Sequence, residues 1–290
     1  MSKLQYLFSE YWSVRRSALS NLVSVVAPCI VSGNPAGADA VLAEGKIEAM
    51  CASMQGNGPF TKWDLAAETL PEGSVVAFRL TGMLYRWMTS ELSDMLDMAE
   101  TNPNISGIIL TIDGPGGMAG GVPALAEKIR SLDTPVVTLI AGEMCSAHLW
   151  IGASARRVFA ASRYCEVGSI GAMTTFTSYR KYLESQGIED RDIYPDTSDL
   201  KNKEYRDLED NGDDSAVKQR LEELHRNFVA HVAKCRGLEA DISKDYFRGM
   251  VMQADKALKA GLVDEIGGMD SVMRWLKAQK VIAELPEEYR

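Results

Sequence analysis

The segment GIILTI at residues 107–112 runs directly into the turn IDGPGG at 112–117. GIILTI is apolar on both of its faces, which is typical of a strand in the middle of a parallel sheet. Two similar runs flank it along the chain, SVVAFRL at 74–80 and PVVTLI at 135–140. A segment with helical spacing of apolar residues follows each of the three runs. This alternation predicts an α/β fold, a mainly parallel sheet with flanking helices.

The same spacing rules apply to the rest of the chain. Helices are predicted over 87–100 and 122–132, from Ser146, over 217–232, and over 254–260 with Gly261 at its end. Further strands are predicted over 157–161, 172–178 and 192–194. The stretch 196–214 carries many charges and few apolar residues, and it is predicted to be an exposed loop.

The first sixty residues have a different character. Apolar residues recur at steps of three or four from Leu4 to Leu22 and predict an amphipathic helix. Residues 32–59 are rich in Gly, Ala, Ser and Asn, and they predict a flexible arm. We therefore expect the helix and arm over 1–60 and one domain over 61–290. The pair Arg15–Arg16 ahead of an apolar stretch also fits an export signal or a membrane-surface helix, but nearby acidic, polar and proline residues disfavour export.

Composition and charge exclude several classes of protein. The 290 residues include 31 Lys and Arg against 40 Asp and Glu, a net charge of −9, which disfavours nucleic acid as a partner. No apolar run approaches the roughly 18 residues of a membrane-spanning helix, so no transmembrane anchor is expected. The five cysteines are scattered and form no CxxC pair. This pattern predicts no metal site or disulfide framework, and it favours a reducing, cytoplasmic location.

Three short motifs carry the chemistry. IDGPGG at 112–117 exposes backbone N–H groups after a buried strand, which suits an anion or oxyanion site as well as a plain tight turn. GEMCSAHLWIGASA at 142–155 places Ser146 where a strand gives way to a helix. That serine is either a helix cap or a reactive group next to unpaired helical N–H groups. EVGSIGAM at 166–173 places Ser169 between two glycines.

The order of these motifs resembles the signal peptide peptidase A (protease IV) family of serine peptidases, which have the Clp-protease/crotonase fold. FVAHVAKCRG at 228–237 and ADKALKAGLVDEIGG at 254–268 are similar to the end of that family's domain. The resemblance spans about residues 74–270. Without a transmembrane anchor, the chain looks most like the soluble phage or prophage branch, which includes proteases that process capsid proteins.

The resemblance implies a Ser–Lys dyad and no cofactor. Ser146 matches the nucleophile, and Ser169 matches the serine that hydrogen-bonds the catalytic lysine. The lysine should follow some fifty residues after the nucleophile, where DTSDLKNKEYRD offers Lys201 and Lys203. TSDLKN resembles the lysine motif of the soluble branch, so Lys201 is preferred and Lys203 is the alternative base. The segment departs from the SG-x-x-K-D pattern of the better-known members.

The resemblance also implies an oxyanion hole. Its donors would be the backbone N–H groups of Gly117 and Ala147, with Gly116 supporting the turn. The specificity pocket would lie between residues 84–87 and 118–122 and would prefer small or apolar side chains.

A lysine base must be neutral, so its pKa must fall from about 10.4 towards roughly 7–8 by burial or by neighbouring positive charge. A lysine in a charged loop is buried in this way only if the loop folds over the sheet or against another subunit. The resemblance also implies the second possibility, because some relatives assemble the dyad across a subunit interface. We therefore expect a ring-like homo-oligomer. Histidine is a weaker candidate, because His148 is too close to Ser146 in sequence, while His225 and His231 are expected to make surface or partner contacts. Cys145 is predicted to be a small buried side chain rather than a nucleophile.

The favoured function is a serine endopeptidase that acts on a peptide or protein substrate, for example in maturation of a phage capsid or scaffold protein. Two alternatives remain open at this point. One is a catalytically inactive, peptidase-like assembly protein, and the other is a crotonase-type acyl-CoA enzyme that shares the fold. The arm at 32–59 is a candidate site of self-cleavage.

Overall fold

The computed structural model describes residues 12–14, 45–51, 62–67, 70–189 and 191–284. The strands are β1 (Trp12–Val14), β2 (Lys46–Cys51), β3 (Ser74–Thr81), β4 (Ile105–Gly114), β5 (Gly116–Met118), β6 (Val136–Cys145), β7 (Arg157–Ala160), β8 (Glu166–Gly168), β9 (Val251–Gln253) and β10 (Glu265–Ile266). The helices are α1 (Arg86–Thr101), α2 (Val122–Ser131), α3 (Ala147–Gly152), α4 (Arg180–Ser185), α5 (Lys203–Asn211), α6 (Ser215–Arg236), α7 (Ala254–Lys259) and α8 (Met269–Glu284). Short 3-10 helices lie at Lys62–Ala66, Asp196–Ser198 and Asp245–Arg248.

The main sheet has the strand order β10-β7-β6-β4-β3-β2. Its neighbours from β10 to β3 run parallel, and β2 lies antiparallel to β3 at one edge. Strand β8 pairs parallel with the far end of β6, and β9 runs antiparallel to β8. The predicted α/β class, with a mainly parallel sheet and flanking helices, is therefore confirmed.

The two faces of the sheet are covered by different helices, as the side-chain alternation of strand β3 shows. Val76 and Phe78 point into the larger apolar cluster, which includes residues of α1, α2 and α6. Val75 and Ala77 point to the other face, where they share a cluster with Leu276 of α8. Because successive strand residues point to opposite faces, only a continuous apolar run can bury both. Full burial of each large apolar side chain contributes roughly 1.5–3 kcal/mol.

The sheet brings the carboxyl ends of strands β4, β6 and β8 together at one edge. Gly114 of β4 lies opposite Met144 of β6, and Cys145 lies opposite Gly168 of β8. The three motifs singled out in the sequence follow directly from these strand ends. The strand order therefore brings the three motifs close together, although they are far apart along the chain.

The amino-terminal segment differs from its prediction wherever the structure describes it. Residues 46–51, inside the predicted arm, form edge strand β2, with alternating exposed and half-buried side chains. Residues 12–14, inside the predicted amphipathic helix, form strand β1, which pairs with β5. The sheet thus includes a strand from before the boundary predicted near residue 60. The rest of the predicted helix and arm lies outside the described residues.

Two predicted strands are wrong. Within the described part of the chain, residues 172–178 and 192–194 form no strand, and Met173 makes only a β-bridge. The stretch 196–214 is exposed, as predicted, but it is not simply a loop, since it contains α5.

The remaining predicted helices are confirmed. Helix α6 spans the predicted amphipathic segment, and α7 is followed by Gly261 with φ of 78°. Among the described residues, none of these helices has the length and apolar character that crossing a membrane requires.

Candidate active site

Ser146 occupies a sharp turn between strand β6 and helix α3. Its φ of 56° and ψ of −120° are unusual for a residue other than glycine. The turn is held at both ends, because the Ser146 N–H donates to the Gly168 carbonyl at 2.8 Å and its own carbonyl accepts from the Trp150 N–H at 3.0 Å. A serine on a strained strand-to-helix turn is a recurring arrangement for nucleophiles. Ala147, the next residue, begins α3, so its N–H has no acceptor within the helix.

The glycine turn packs against the same helix through His148. The Gly116 N–H donates to His148 Nδ1 at 3.1 Å. A Cβ on Gly114 would lie 2.4 Å from His148 Cε1, and a Cβ on Gly117 would lie 1.9 Å from the Leu84 carbonyl oxygen. Gly116 itself has φ of 108°. Each of the three glycines is thus required by its conformation or by a close approach.

The imidazole of His148 is neutral. It is fully buried, and burial lowers its pKa from 6.5 to about 4. Since Nδ1 accepts a backbone N–H, the proton is assigned to Nε2, which has no hydrogen-bond partner among the described residues. His148 therefore positions the glycine turn. The sequence analysis disfavours His148 as a base, and it does not predict this positioning role.

Ser169 follows the residue that holds the Ser146 turn. The carbonyl of Gly168 accepts the Ser146 N–H, and the Ser169 N–H in turn donates to the Met250 carbonyl at 2.9 Å. Ser169 has φ of 57° and is half-buried. The structure therefore brings Ser169 next to the strand end that carries Ser146.

The candidate lysines lie outside this cluster in the single chain. Lys201 is exposed in a turn where its backbone N–H donates to the Ser198 carbonyl at 3.1 Å, and among the described residues its ammonium makes no hydrogen bond or ion pair. Lys203, the first residue of α5, is also exposed, and its Nζ lies 2.5 Å from Asp207 Oδ2. Neither amine is buried by its own chain.

The segment around the lysines exposes an unusual amount of apolar surface. Phe176 packs edge-on against Tyr205, and Arg206 stacks on Tyr194, so the segment has internal contacts of its own. Large apolar side chains remain exposed along it, namely Tyr179, Tyr182, Ile188, Ile193, Leu200 and Tyr205. A concentration of exposed large apolar side chains in one segment is typical of an interaction site. We refer to residues 176–211 as the lysine segment.

The two stretches expected to form the specificity pocket are neighbours. Leu84 bridges to Gly117, with the Leu84 N–H donating to the Gly116 carbonyl at 2.9 Å. Next to it, Tyr85 stacks on Trp87 with ring centroids 4.4 Å apart. The start of the second stretch, Met118, is fully buried.

The other two histidines make intrachain contacts, which corrects the expectation of surface or partner contacts. His231 is buried, with Nε2 2.8 Å from Ser154 Oγ and Nδ1 3.2 Å from Glu127 Oε1. Burial lowers its pKa, although Glu127 acts in the opposite direction. His225 Nε2 lies 2.6 Å from the Phe247 carbonyl. These contacts tie α6 to the rest of the domain.

Comparison with known proteins gives a consistent result. The model of Peptidase family S49 matches residues 128–283. A putative signal peptide peptidase SppA from Enterococcus faecium is 24% identical over 243 residues, covering 76% of this chain and 69% of that protein. Capsid assembly protease C of Escherichia phage lambda is 32% identical over 174 residues, 59% of this chain and 39% of that protein. Head-tail preconnector protein GP5 of Enterobacteria phage P21 is 29% identical over 202 residues, 68% of this chain and 40% of that protein.

The chain thus spans about two fifths of the length of the two phage proteins that it matches. The family match covers more than half of the chain and includes Ser146, Ser169 and both candidate lysines. On this match, and with SppA and phage proteases among its relatives, the chain belongs to peptidase family S49, the SppA-type serine peptidases with a Clp-like fold.

Proposed function

We propose that the chain is an endopeptidase that uses a Ser–Lys dyad, with Ser146 as the nucleophile. The observation that carries this proposal is the strained turn at Ser146, which is fixed to the Ser169 turn and packed beside the glycine turn. The Ser146 hydroxyl would attack the scissile carbonyl as the lysine accepts its proton. The N–H groups of Gly117 and Ala147 would stabilise the resulting oxyanion, with Gly116 supporting the turn.

Lys201 is the proposed base, and Lys203 is the alternative. Proton abstraction requires a neutral amine with an available lone pair. The Lys203 ammonium is engaged with Asp207 at 2.5 Å, whereas the Lys201 ammonium has no ion pair within the described residues. This difference favours Lys201. Ser169 would hydrogen-bond the amine and orient it towards Ser146.

The base becomes buried, in this proposal, when a second copy of the chain packs against the first. A lysine loses its proton readily only when it is desolvated or lies near positive charge, and both candidate amines are exposed in one chain. The exposed apolar side chains of the lysine segment supply a surface for such packing. We propose a ring-like homo-oligomer in which the lysine segment of one copy packs over the Ser146 turn of the next, where Ser146 is already buried within its own chain.

The proposed substrates are capsid or scaffold proteins of a phage. Support comes from the similarity to a capsid assembly protease and to a head-tail preconnector protein. The pocket between residues 84–87 and 118–122 would accept a small or apolar side chain, and the bridge between Leu84 and Gly117 supports its placement because it makes the two stretches neighbours.

A fluorophosphonate probe tests the nucleophile. Wild type should be labelled and Ser146→Ala should not, whereas Ser131→Ala, which changes an exposed serine at the end of α2, should label normally. Full labelling of Ser146→Ala would contradict the assignment. An inactive assembly protein or an acyl-CoA enzyme would show no labelling that depends on Ser146.

A second experiment tests the base and its location. Lys201→Ala should lower the labelling rate by about 10²–10⁴-fold, because a positioned base contributes about that factor. Lys218→Ala, an exposed lysine on α6, should not change the rate. Mixing Ser146→Ala with Lys201→Ala should restore up to about a quarter of wild-type activity if the dyad is shared between copies. Unchanged activity of both Lys201→Ala and Lys203→Ala would refute the dyad.

A further inference from the structure

The backbone of strand β5 faces two different neighbours. The Gly116 N–H donates to His148 at 3.1 Å, and the Gly116 carbonyl accepts from the Leu84 N–H at 2.9 Å. The Met118 N–H donates to the Leu84 carbonyl at 2.8 Å. In a strand the backbone groups of successive residues point to opposite edges. The N–H and carbonyl of Gly117 therefore face the opposite edge, away from Leu84.

Strand β1 of the same chain lies along that opposite edge. It runs antiparallel to β5, with Ser13 opposite Gly117, Trp12 opposite Met118 and Val14 opposite Gly116. Antiparallel pairs alternate between hydrogen-bonded and non-hydrogen-bonded positions. Since only Gly117 turns its groups towards β1, the pair that exchanges hydrogen bonds is Ser13 with Gly117. The Ser13 carbonyl thus lies against the Gly117 N–H.

We infer that β1 competes with the substrate, because it lies along the edge of β5 to which the substrate strand would bind. This inference rests on the proposed function, in which the Gly117 N–H receives the oxyanion. A substrate peptide can add to an exposed strand edge through the same backbone groups, and one N–H cannot serve both strands fully. The occupant is therefore of the same chemical class as the substrate, an extended polypeptide, and substrate has to displace residues 12–14.

Attachment to the same chain makes so short a strand an effective competitor. Three residues pair too weakly to bind as a free peptide, but covalent attachment to the same chain can hold them at an effective concentration on the order of millimolar. The pairing uses backbone groups on the glycine-rich strand β5, so polypeptides of other sequences can pair with β5 in the same way. A substrate strand that also fills the side-chain pocket can therefore replace it.

Ser13→Pro tests the inference in the full-length chain. Proline lacks the N–H that Ser13 offers to the Gly117 carbonyl, and it is disfavoured in a paired strand. Ser13→Ala is the matched control, since alanine keeps the backbone N–H that residue 13 offers to Gly117. We expect Ser13→Pro to lower KM and to raise the fluorophosphonate labelling rate of Ser146, each by about 3- to 30-fold, with kcat unchanged. This range corresponds to the loss of one or two net hydrogen bonds. Ser13→Ala should behave as wild type.

Hydrogen exchange gives a readout that does not depend on catalysis. In a Ser146→Ala background, the Gly117 amide should exchange faster when Ser13→Pro is added and should not respond to Ser13→Ala. Equal exchange at Gly117 with and without Ser13→Pro would overturn the inference, as would equal KM and labelling in wild type and Ser13→Pro. Absence of Ser146 labelling in every variant would instead remove the proposed function, and this inference with it.

Discussion

Burial of His148 should make the folded protein sensitive to acid. Burial lowers the pKa of His148 from 6.5 to about 4, and its Nδ1 is occupied by the Gly116 N–H. The unfolded chain therefore takes up a proton near about pH 6.5, and the folded chain does so only near pH 4. Between these values the unfolded state binds more protons. The stabilisation from neutral His148 is thus present in full above the unfolded pKa and is lost as the pH falls through this window.

The size of the effect follows from the pKa difference. A lowering from 6.5 to about 4 corresponds to about 3 kcal/mol of unfolding free energy when the window has been crossed completely. At about pH 5 the loss already amounts to about 2 kcal/mol. That is a large share of the 5–15 kcal/mol or so by which proteins of this kind are stable.

His148→Asn separates this contribution from the rest of the acid response. The Asn Oδ1 can accept the Gly116 N–H in place of Nδ1, but the amide does not titrate. We expect wild type to lose about 2 kcal/mol more than His148→Asn between about pH 7.5 and pH 5, as measured by urea unfolding at equal protomer concentration. Ser131→Ala, which changes an exposed serine and no titratable group, is the control and should keep the wild-type slope. Identical pH slopes for wild type and His148→Asn would show that the neutral imidazole is not what the folded state requires.

Gly117→Ala should lower the labelling rate of Ser146 by about 10²-fold or more, because the new methyl carbon would lie 1.9 Å from a backbone oxygen and would displace an oxyanion donor. Gly171→Ala, with open space around its Cβ, should leave that rate within about twofold of wild type. Ser154→Ala should lower the unfolding free energy by about 1–2 kcal/mol, because it removes the hydroxyl 2.8 Å from buried His231 Nε2. Ser131→Ala on the surface should change it by less than about 0.5 kcal/mol, and a similar loss in both variants would contradict the structural role of the His231 contact.

The centre of the fold is predictable because its requirements are local. Strands β3, β4 and β6 are buried on both faces, and such a strand has to be continuously apolar. Helices α1 and α2 pack against the same face of the sheet, each through one apolar side, which leaves a helical spacing in the sequence. In these elements burial dictates the pattern of residues, so the pattern reveals the burial.

The edges of the fold are not predictable in the same way. Strand β2 is half-buried and contains Lys46 and Glu48, so it carries only a short alternation amid small residues. Strand β1 exists because it pairs with residues more than a hundred positions away, and helical spacing in its own segment gives the opposite prediction. Conversely, residues 172–178 have a composition suited to a strand, but among them only Met173 makes a β-bridge.

Some residues of the candidate site are likewise predictable from the sequence, and others are not. The motif order predicts Ser146 and the glycine turn as site residues through the family resemblance. The structure gives them a strained or closely packed backbone, which restricts residue types. His148 was missed as a positioning residue, although one signal could have found it. Helix α3, AHLWIG, is apolar apart from this histidine and is buried all round. A buried imidazole needs a hydrogen-bond partner, and the glycine turn, rich in exposed N–H groups, was the available donor.

The two proposals affect different kinetic parameters, so they can be tested independently. Packing of the lysine segment against a second copy would bury the base, which changes the rate of chemistry and makes activity per protomer rise with protein concentration. Displacement of β1 takes place within one chain, so it would change KM at every protein concentration and leave kcat alone. A Ser13→Pro effect that grew with dilution would mean that β1 acts through assembly rather than through the Gly117 edge. A Lys201→Ala defect confined to KM would mean that this lysine binds substrate and does not take the proton from Ser146.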